Sequence, residues 1–304
     1  MIAAVIDLGT NTSNLVVAEL NGKNLHILFQ GKEYVRIGDR RIKENVISSE
    51  AAVRAVSAVF KQVLQARELQ ADEIRIIATS AVRDASNRKD FTDALWHETG
   101  IQTEVIDGDR EASLIYYGVK LAMGSLGQPS AILDIGGGSN EIIVCENGTM
   151  NWRGSYPAGM SRIISTFPIS NPITPSEVEA LEAYFHAAHR EAINRCNHFE
   201  VSTLIGCSGA FNTLADIIDE VNPEEKFRTA REISLAEFRE VYERILFSTH
   251  EERTAMKGMD PVRTDLIVPA LILCSTFIRH SRISRIIQTG YALREGVLWE
   301  IINS

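Results

Sequence analysis

Hydrophobic and polar positions change period along the chain, and these changes predict its first strands and helices. Residues 2–7 are almost all apolar and end at an aspartate, which predicts a buried strand. Two more strands, over 14–20 and 24–29, flank Asn21-Gly22, a pair that tolerates the positive φ of a hairpin turn. A helix is predicted from about Ser49, with a buried face formed by Val53, Val56, Phe60, Val63 and Leu64.

The pattern then alternates between strand and helix. Strands over 74–79 and 102–106 precede helices that begin near Asn87 and Asp109, an order typical of a mixed α/β domain. The apolar run 266–278 is too short to span a bilayer and contains a proline, so it is predicted to be a buried helix.

The opening of the chain is repeated in its second half. Residues 4–13 read Ala-Val-Ile-Asp-Leu-Gly-Thr-Asn-Thr-Ser, and residues 131–140 read Ala-Ile-Leu-Asp-Ile-Gly-Gly-Gly-Ser-Asn. Each is followed by a predicted strand and an Asn-Gly turn, at offsets from the aspartate that agree within one residue. A repeat of this kind indicates a duplicated structural unit.

Two helix-start signatures and a terminal helix complete the predicted organisation. Thr174 with Glu177, and Ser234 with Glu237, have the spacing of capping boxes. We predict two α/β domains, 1–123 with the C-terminal helix 293–304, and 124–292. The apolar face of that helix is predicted to carry Leu293, Val297, Leu298 and Ile301.

Composition narrows the range of partners. The net charge is -9, with 31 Lys and Arg against 40 Asp and Glu, which argues against a large nucleic-acid or anionic-membrane surface. A few arginines in one cleft would still be enough to bind a small polyanionic substrate. The N-terminus lacks a basic signal region, and the four cysteines are widely spaced, so we expect a cytoplasmic protein with reduced, partly buried thiols.

The repeated loops have the chemistry of phosphate-binding turns. Small residues let backbone amides approach phosphate oxygens closely. Each loop follows a carboxylate, Asp7 or Asp134, and carboxylates beside phosphates commonly serve Mg²⁺. The alternative is that both loops are plain hairpin turns. The residues predicted to bind phosphate are Gly9, Thr10, Asn11 and Thr12, and Gly136, Gly137, Gly138 and Ser139.

Other phosphate and metal chemistries find little support. The chain lacks the GxxxxGK[ST] motif, so it is not a P-loop NTPase. No arginine closes a phosphate loop around Cys207, which favours a small buried cysteine. His186 and His189 could share a helix face, but without an HExxH motif a solvated or hydrogen-bonded pair is the commoner outcome.

On the basis of these two loops and of further segments along its length, the chain resembles the exopolyphosphatase/guanosine pentaphosphate phosphatase family of the actin-like superfamily. That resemblance implies two actin-like, ribonuclease H-like domains around an interdomain cleft, and it covers almost the whole chain. The segments that carry it are 7–12, Arg36-Ile-Gly38, 78–87, 111–119, 134–141, Arg263-Thr-Asp265 and 293–296.

The resemblance assigns roles to several residues. Glu111 would activate the attacking water, although an acid in a first helical turn also has a purely structural explanation. Glu141 would position metal or water, with Asp7 and Asp134 as the other metal residues, and Arg83 would clamp phosphate. The candidates for a basic track that serves longer substrates are Arg36, Arg88 and Lys89, and the alternative for them is plain surface solvation.

Several features depart from the family pattern, including a mild change in the second loop, which reads Ser139-Asn140-Glu141. Arg110 replaces the first of two consecutive glutamates, and the later glycine motif reads Gly206-Cys-Ser-Gly-Ala. The chain also ends soon after the second domain, whereas longer members carry a further helical region. A preference for short chains or for a guanosine polyphosphate is therefore a second expectation.

The sequence favours a magnesium-dependent exopolyphosphatase that releases orthophosphate from polyphosphate. A guanosine pentaphosphate 5′-phosphohydrolase and a non-catalytic alarmone or nucleotide sensor stay open as alternatives. A sugar or acetate kinase is compatible with the fold alone. Neither a nucleic acid nor a membrane is expected as partner, and the resemblance makes a homodimer plausible.

Overall fold

Two β-sheets organise the chain, one in each of two units. The computed structural model describes residues 1–22, 24–38, 44–223 and 225–304. The first unit comprises Met1–Leu121 and Leu293–Ser304, and the second comprises Ala122–Ala292. The α/β class predicted from the alternation of strands and helices is confirmed. In the described part of the chain, no helix combines the length and the apolar character that crossing a membrane requires.

Each half of the chain opens with three consecutive strands, which helices and further strands then follow. The strands are β1 (Ile2–Leu8), β2 (Thr12–Asn21), β3 (Asn24–Tyr34), β4 (Glu73–Ala78), β5 (Thr103–Val105), β6 (Ser130–Ile135), β7 (Asn140–Glu146), β8 (Thr149–Tyr156), β9 (Thr203–Cys207), β10 (Ala230–Ile233) and β11 (Arg285–Thr289). The helices are α1 (Ser49–Glu68), α2 (Ser80–Arg83), α3 (Arg88–Thr99), α4 (Gly108–Met123), α5 (Met160–Thr166), α6 (Pro175–Ala188), α7 (Arg190–His198), α8 (Ser208–Asp219), α9 (Leu235–Leu246), α10 (His250–Ala255), α11 (Ile267–His280) and α12 (Leu293–Asn303).

Both sheets are built around the same arrangement of strands. The first has the order β3-β2-β1-β4-β5, and the second has the order β10-β11-β9-β6-β7-β8. In each, an antiparallel hairpin meander lies on one side of its first strand and a parallel strand, β4 or β9, pairs on the other side. The carboxyl ends of β1 and β6 therefore lie at the same edge of their sheets as those of β4 and β9.

The duplication extends to fine backbone detail. In both meanders the register shifts at the residue ten positions after the loop aspartate, which is Val17 in β2 and Val144 in β7. Facing these strands, Gly31 lies under the Phe29 ring and Gly154 under the Trp152 ring. The internal repeat inferred from the loops is thus a repeat of the whole three-stranded meander.

The capping boxes of α6 and α9 form as predicted. Thr174 accepts a hydrogen bond from the amide of Glu177, and Ser234 accepts one from the amide of Glu237. The predicted buried helix over 266–278 is also confirmed, because α11 is buried over most of its length.

The predicted face of α1 was wrong in part. Val63 is buried, but Val53 is 71% exposed and Leu64 is 41% exposed. The buried side of the helix is instead dominated by alanines, whose small side chains allow a close approach to the sheet and to α3. Helical periodicity located the helix, but the largest apolar residues did not mark its buried face.

The first hairpin turn is also displaced from the prediction. Asn21 pairs with Asn24 as the last residue of β2, and Gly22 has a φ of 60°. In the second hairpin, Asn147 and Gly148 both have positive φ, at 53° and 70°. The same dipeptide therefore occupies different positions in the two turns.

Helix α12 belongs to the first unit. It packs against β1 and β2, and all four residues predicted for its apolar face are buried. Arg294 Nη1 donates to the carbonyl oxygen of Leu15 at 3.2 Å, which ties the start of the helix to β2.

Candidate active site

The second loop is held by the start of α5. The carbonyl oxygens of Gly136, Gly137 and Gly138 accept hydrogen bonds from the amides of residues 160, 161 and 159, at 2.9, 2.9 and 3.3 Å. In a trans peptide the C=O and the following N–H point in opposite directions. The amides of residues 137–139 are therefore directed away from α5, and none of them donates to a backbone carbonyl in the described residues.

Gly159 makes this arrangement possible. A Cβ at this position would lie 2.5 Å from the backbone of Gly137 and of Gly138. Any larger residue would push α5 off the loop, and the loop carbonyls would lose their donors. No local feature of the sequence marked Gly159, because its partners are about twenty residues away.

The first loop is held in the same way by a different segment. The carbonyl oxygen of Asn11 accepts the amides of Val35 and Arg36, both at 3.0 Å, and that of Thr10 accepts the amide of Gly38 at 3.3 Å. Arg36 has a φ of 45°. The Arg36-Ile-Gly38 motif thus supports the loop through its backbone, whereas only the side chain of Arg36 was predicted to extend a basic track.

Both loops share their closing hydrogen bond. The Gly9 amide donates to the carbonyl of Thr12 and the Gly136 amide to that of Ser139, each at 3.0 Å. A Cβ on Gly136 would lie 2.6 Å from the same carbonyl oxygen. Glycine is therefore required at this position for the turn itself.

The threonine hydroxyls of the first loop have partners within the protein. Thr10 Oγ1 lies 3.3 Å from Ser80 Oγ, and Thr12 Oγ1 accepts a hydrogen bond from Asn14 Nδ2 at 3.2 Å. Both threonines are buried. The loop thus offers anions its amides more readily than its hydroxyls.

Each loop aspartate begins a row of polar residues across its sheet. In the second unit Asp134 is opposite Glu141, which is opposite Ser155. In the first unit the corresponding row is Asp7, Asn14 and Lys32. Residues opposite one another in antiparallel strands share a face, so the second unit places two carboxylates side by side.

The two carboxylates of the second unit are buried and hydrogen-bonded. Ser208 Oγ donates to Asp134 Oδ2 at 2.8 Å, and Ser155 Oγ donates to Glu141 Oε1 at 2.7 Å. Burial raises the pKa of Asp134, against the opposing effects of its hydrogen bonds and of the Arg263 charge. The Gly206–Ala210 motif supplies Ser208, which donates the hydrogen bond to Asp134. It also supplies Gly209, over which the Arg263 guanidinium lies.

The structure brings the predicted base and the predicted clamp together. Arg83 Nη1 donates to Glu111 Oε2 at 2.8 Å and to the carbonyl oxygen of Ile106 at 3.2 Å. Glu111 is 7% exposed and lies in the first turn of α4. Asp107 fixes this turn, because its side chain accepts the Arg110 amide and its carbonyl accepts the Glu111 amide.

The other basic candidates have structural partners. Arg88 Nη1 donates to the carbonyl oxygen of Arg83 at 3.2 Å, and Lys89 pairs with Asp93 at 2.6 Å on an exposed surface. Arg110 forms a forked ion pair with Glu300.

The remaining candidate histidines do not pair with each other. The ring of His186 packs on that of His280, with centroids 4.2 Å apart, whereas His189 is fully buried beside Phe185. All four cysteines lie in the described residues, where they are buried and form no disulfide.

The carboxylates of Asp134 and Glu141 in the second unit suit a metal ion that keeps most of its bound water molecules. Nowhere in the described ranges do three His, Cys, Asp or Glu side chains cluster as a metal cage. Mg²⁺ is usually held by one or two carboxylates together with waters and substrate phosphates. The neighbouring carboxylates of Asp134 and Glu141 match that requirement.

Two sheets, each opened by the same Asp-x-Gly hairpin and extended by a parallel strand, define a duplicated α/β protein. The Ppx/GppA phosphatase family matches residues 15–304. The chain therefore belongs to the Ppx/GppA phosphatase family, as the sequence resemblance indicated, and is an enzyme of the phosphoanhydride hydrolase class.

Relatives with known structures or names agree with this assignment. An exopolyphosphatase from Cytophaga hutchinsonii is 32% identical, with a TM-score of 0.95 over 100% of this chain and 98% of that chain. Exopolyphosphatase 2 of Mycobacterium tuberculosis is 28% identical over 92% of this chain and 90% of its own length. A Ppx-GppA enzyme from Aquifex aeolicus has the same fold, with a TM-score of 0.83 at 22% identity over 99% of both chains.

Proposed function

We propose that the protein hydrolyses the terminal phosphoanhydride bond of inorganic polyphosphate and releases orthophosphate. The observation that carries the proposal is the pair of matched loops whose carbonyls are tied back and whose amides point away from their supports. Outward amides in a tight turn form an anion-binding concavity. Each loop by itself therefore suits a phosphate group.

Glu111 is the proposed general base. One of its oxygens accepts a hydrogen bond from Arg83, so the carboxylate is oriented and its charge is balanced. A water oxygen attacks the terminal phosphorus and its proton passes to Glu111. The bond between phosphorus and the bridging oxygen breaks, and that oxygen leaves with the shortened chain.

Asp134 and Glu141 are the proposed metal-holding residues, with Asp7 at the equivalent place in the first unit. Bound Mg²⁺ would neutralise charge that develops on the transferred phosphoryl group. A cation would also offset the cost of burying the Asp134 carboxylate, the group whose pKa burial raises.

The names of its relatives support polyphosphate as the substrate. Both the Cytophaga structure and the Mycobacterium relative are named exopolyphosphatases. Guanosine pentaphosphate presents the same terminal bond, so it is the natural competitor. The interdomain cleft expected from the sequence stays a prediction.

Orthophosphate release from short polyphosphate, long polyphosphate and guanosine pentaphosphate, with Mg²⁺, tests the proposal. We expect release from polyphosphate and a loss of at least about 10²-fold in kcat for Glu111→Gln. Faster release from guanosine pentaphosphate would support the same hydrolytic chemistry, with the nucleotide rather than polyphosphate as the substrate. Binding of these compounds without release of orthophosphate would contradict the proposed hydrolase and favour the non-catalytic sensor.

A further inference from the structure

We propose that helix α12 positions Glu111, acting through the Arg110–Glu300 ion pair and the contact of Gly296 with α4. This inference rests on the proposed role of Glu111 as general base. Arg110, Gly296 and Glu300 are positioning residues in this scheme, because none of them touches the reacting atoms.

The ion pair joins α12 to the residue next to Glu111. Arg110 and Glu300 form two parallel hydrogen bonds, of which the one between Nη2 and Oε2 measures 2.5 Å. A forked pair fixes orientation as well as distance. The Glu300 hydrogen bond is the largest of the effects that raise the pKa of Arg110.

A backbone contact lies one turn further along α4. A Cβ on Gly296 would be 1.8 Å from the carbonyl oxygen of Leu114, so the two helices approach as closely as glycine permits. Beyond it, the Tyr117 and Trp299 rings stack with centroids 3.9 Å apart and an interplanar angle of 2°.

These contacts lie on one side of α4 because residues 110, 114 and 117 follow helical spacing. Glu111 is adjacent to that side, at the N-terminal turn. At its other side α12 packs against β1 and β2, and Arg294 donates a hydrogen bond to the carbonyl oxygen of Leu15. Helix α12 thus fixes α4 relative to the sheet that carries the first loop.

The charge of residue 110 decides whether this connection forms. At position 110 a second glutamate would face the carboxylate of Glu300, and the two would repel. Arg110 converts that position into an anchor. The catalytic carboxylate is held from two sides, by Arg83 on the carboxylate itself and by α12 on its helix.

The test compares Glu300→Gln, Arg110→Glu and the exchanged double variant Arg110→Glu/Glu300→Arg, measured by steady-state phosphate release. We expect each single variant to lower kcat about tenfold with KM within about twofold of wild type, because the base is misplaced while binding is retained. The exchanged pair should recover kcat to within about threefold.

Glu200→Gln is the matched control, because Glu200 forms an exposed ion pair with Arg282 in the second unit. It should leave kcat unchanged, and thermal melting of every variant checks folding. Wild-type kcat in both single variants would overturn the inference, as would a rise in kcat for Arg110→Glu or failure of the exchanged pair to recover. If Glu111→Gln itself stayed active, the proposed function would fail instead.

Discussion

Arg83 has one observed partner and one predicted partner. Its guanidinium contacts Glu111, and the sequence predicts that it also contacts phosphate. An arginine has five donors in a fixed fork, so it can keep a carboxylate and still offer N–H groups to an anion. The two roles are therefore compatible.

The buried side chain of His189 is expected to make the free energy of unfolding depend on pH. Burial lowers its pKa to about 4, against an ordinary value of 6.5. Between these values the unfolded chain binds more protons than the folded chain, so the free energy of unfolding decreases as the pH falls. We expect this residue to contribute a loss of about 3 kcal/mol between pH 7 and pH 4.

Denaturant unfolding of wild type and His189→Asn across this range measures the effect. Asparagine keeps a donor near the Phe185 carbonyl, which accepts from His189 Nδ1 at 3.0 Å, but it does not titrate. The variant should show a flatter pH dependence. An identical slope in both proteins would contradict the assignment.

At the scale of elements, the loops depend on what supports them. Helix α5 directs the peptide planes of the second loop, and the segment 35–38 does so for the first. The phosphate-binding potential of a glycine-rich turn is therefore a property of two segments rather than of the turn alone.

Gly159→Ala tests this dependence. The added methyl would lie 2.5 Å from loop backbone, so the loop must shift. We expect KM for polyphosphate to rise about tenfold and the free energy of unfolding to fall by about 1–3 kcal/mol. Gly127→Ala is the control, because a Cβ there meets nothing within 4 Å. Unchanged phosphate release by Gly159→Ala would refute the support role.

The elements differed in how well the sequence predicted them. Apolar runs, alternation and capping residues, all of which are local signals, predicted the first meander, β6, β7, α6, α9 and α11. The buried face of α1 did not, because alanines pack closely while Val53 is exposed. The support of Gly136–Gly138 by Gly159 and the anchoring of Arg110 by Glu300 depend on tertiary contacts that no local pattern encodes.

At the scale of the whole molecule, duplication has conserved the backbone and changed the chemistry. The loops, the register shifts and the covered glycines match between the units. The polar rows do not, since Asn14 and Lys32 stand where the second unit has Glu141 and Ser155. The second unit alone carries a pair of adjacent carboxylates in this row.

Magnesium dependence should reflect this asymmetry. We expect Glu141→Gln to raise the Mg²⁺ concentration for half-maximal phosphate release by about 10- to 100-fold. Glu146→Gln, at the far end of β7, should leave it unchanged. The measurement is a Mg²⁺ titration of phosphate release, and equal midpoints for wild type and Glu141→Gln would remove Glu141 from the metal site.

The stacked rings of Tyr117 and Trp299 also make the enzyme its own optical reporter. The chain has three tryptophans, and the other two lie elsewhere, Trp96 half-exposed on α3 and Trp152 over Gly154 in the second unit. With those two changed to phenylalanine, the fluorescence emission would come from Trp299 alone. Separation of α12 from α4 would then be visible as a change in emission, in real time and without an attached dye.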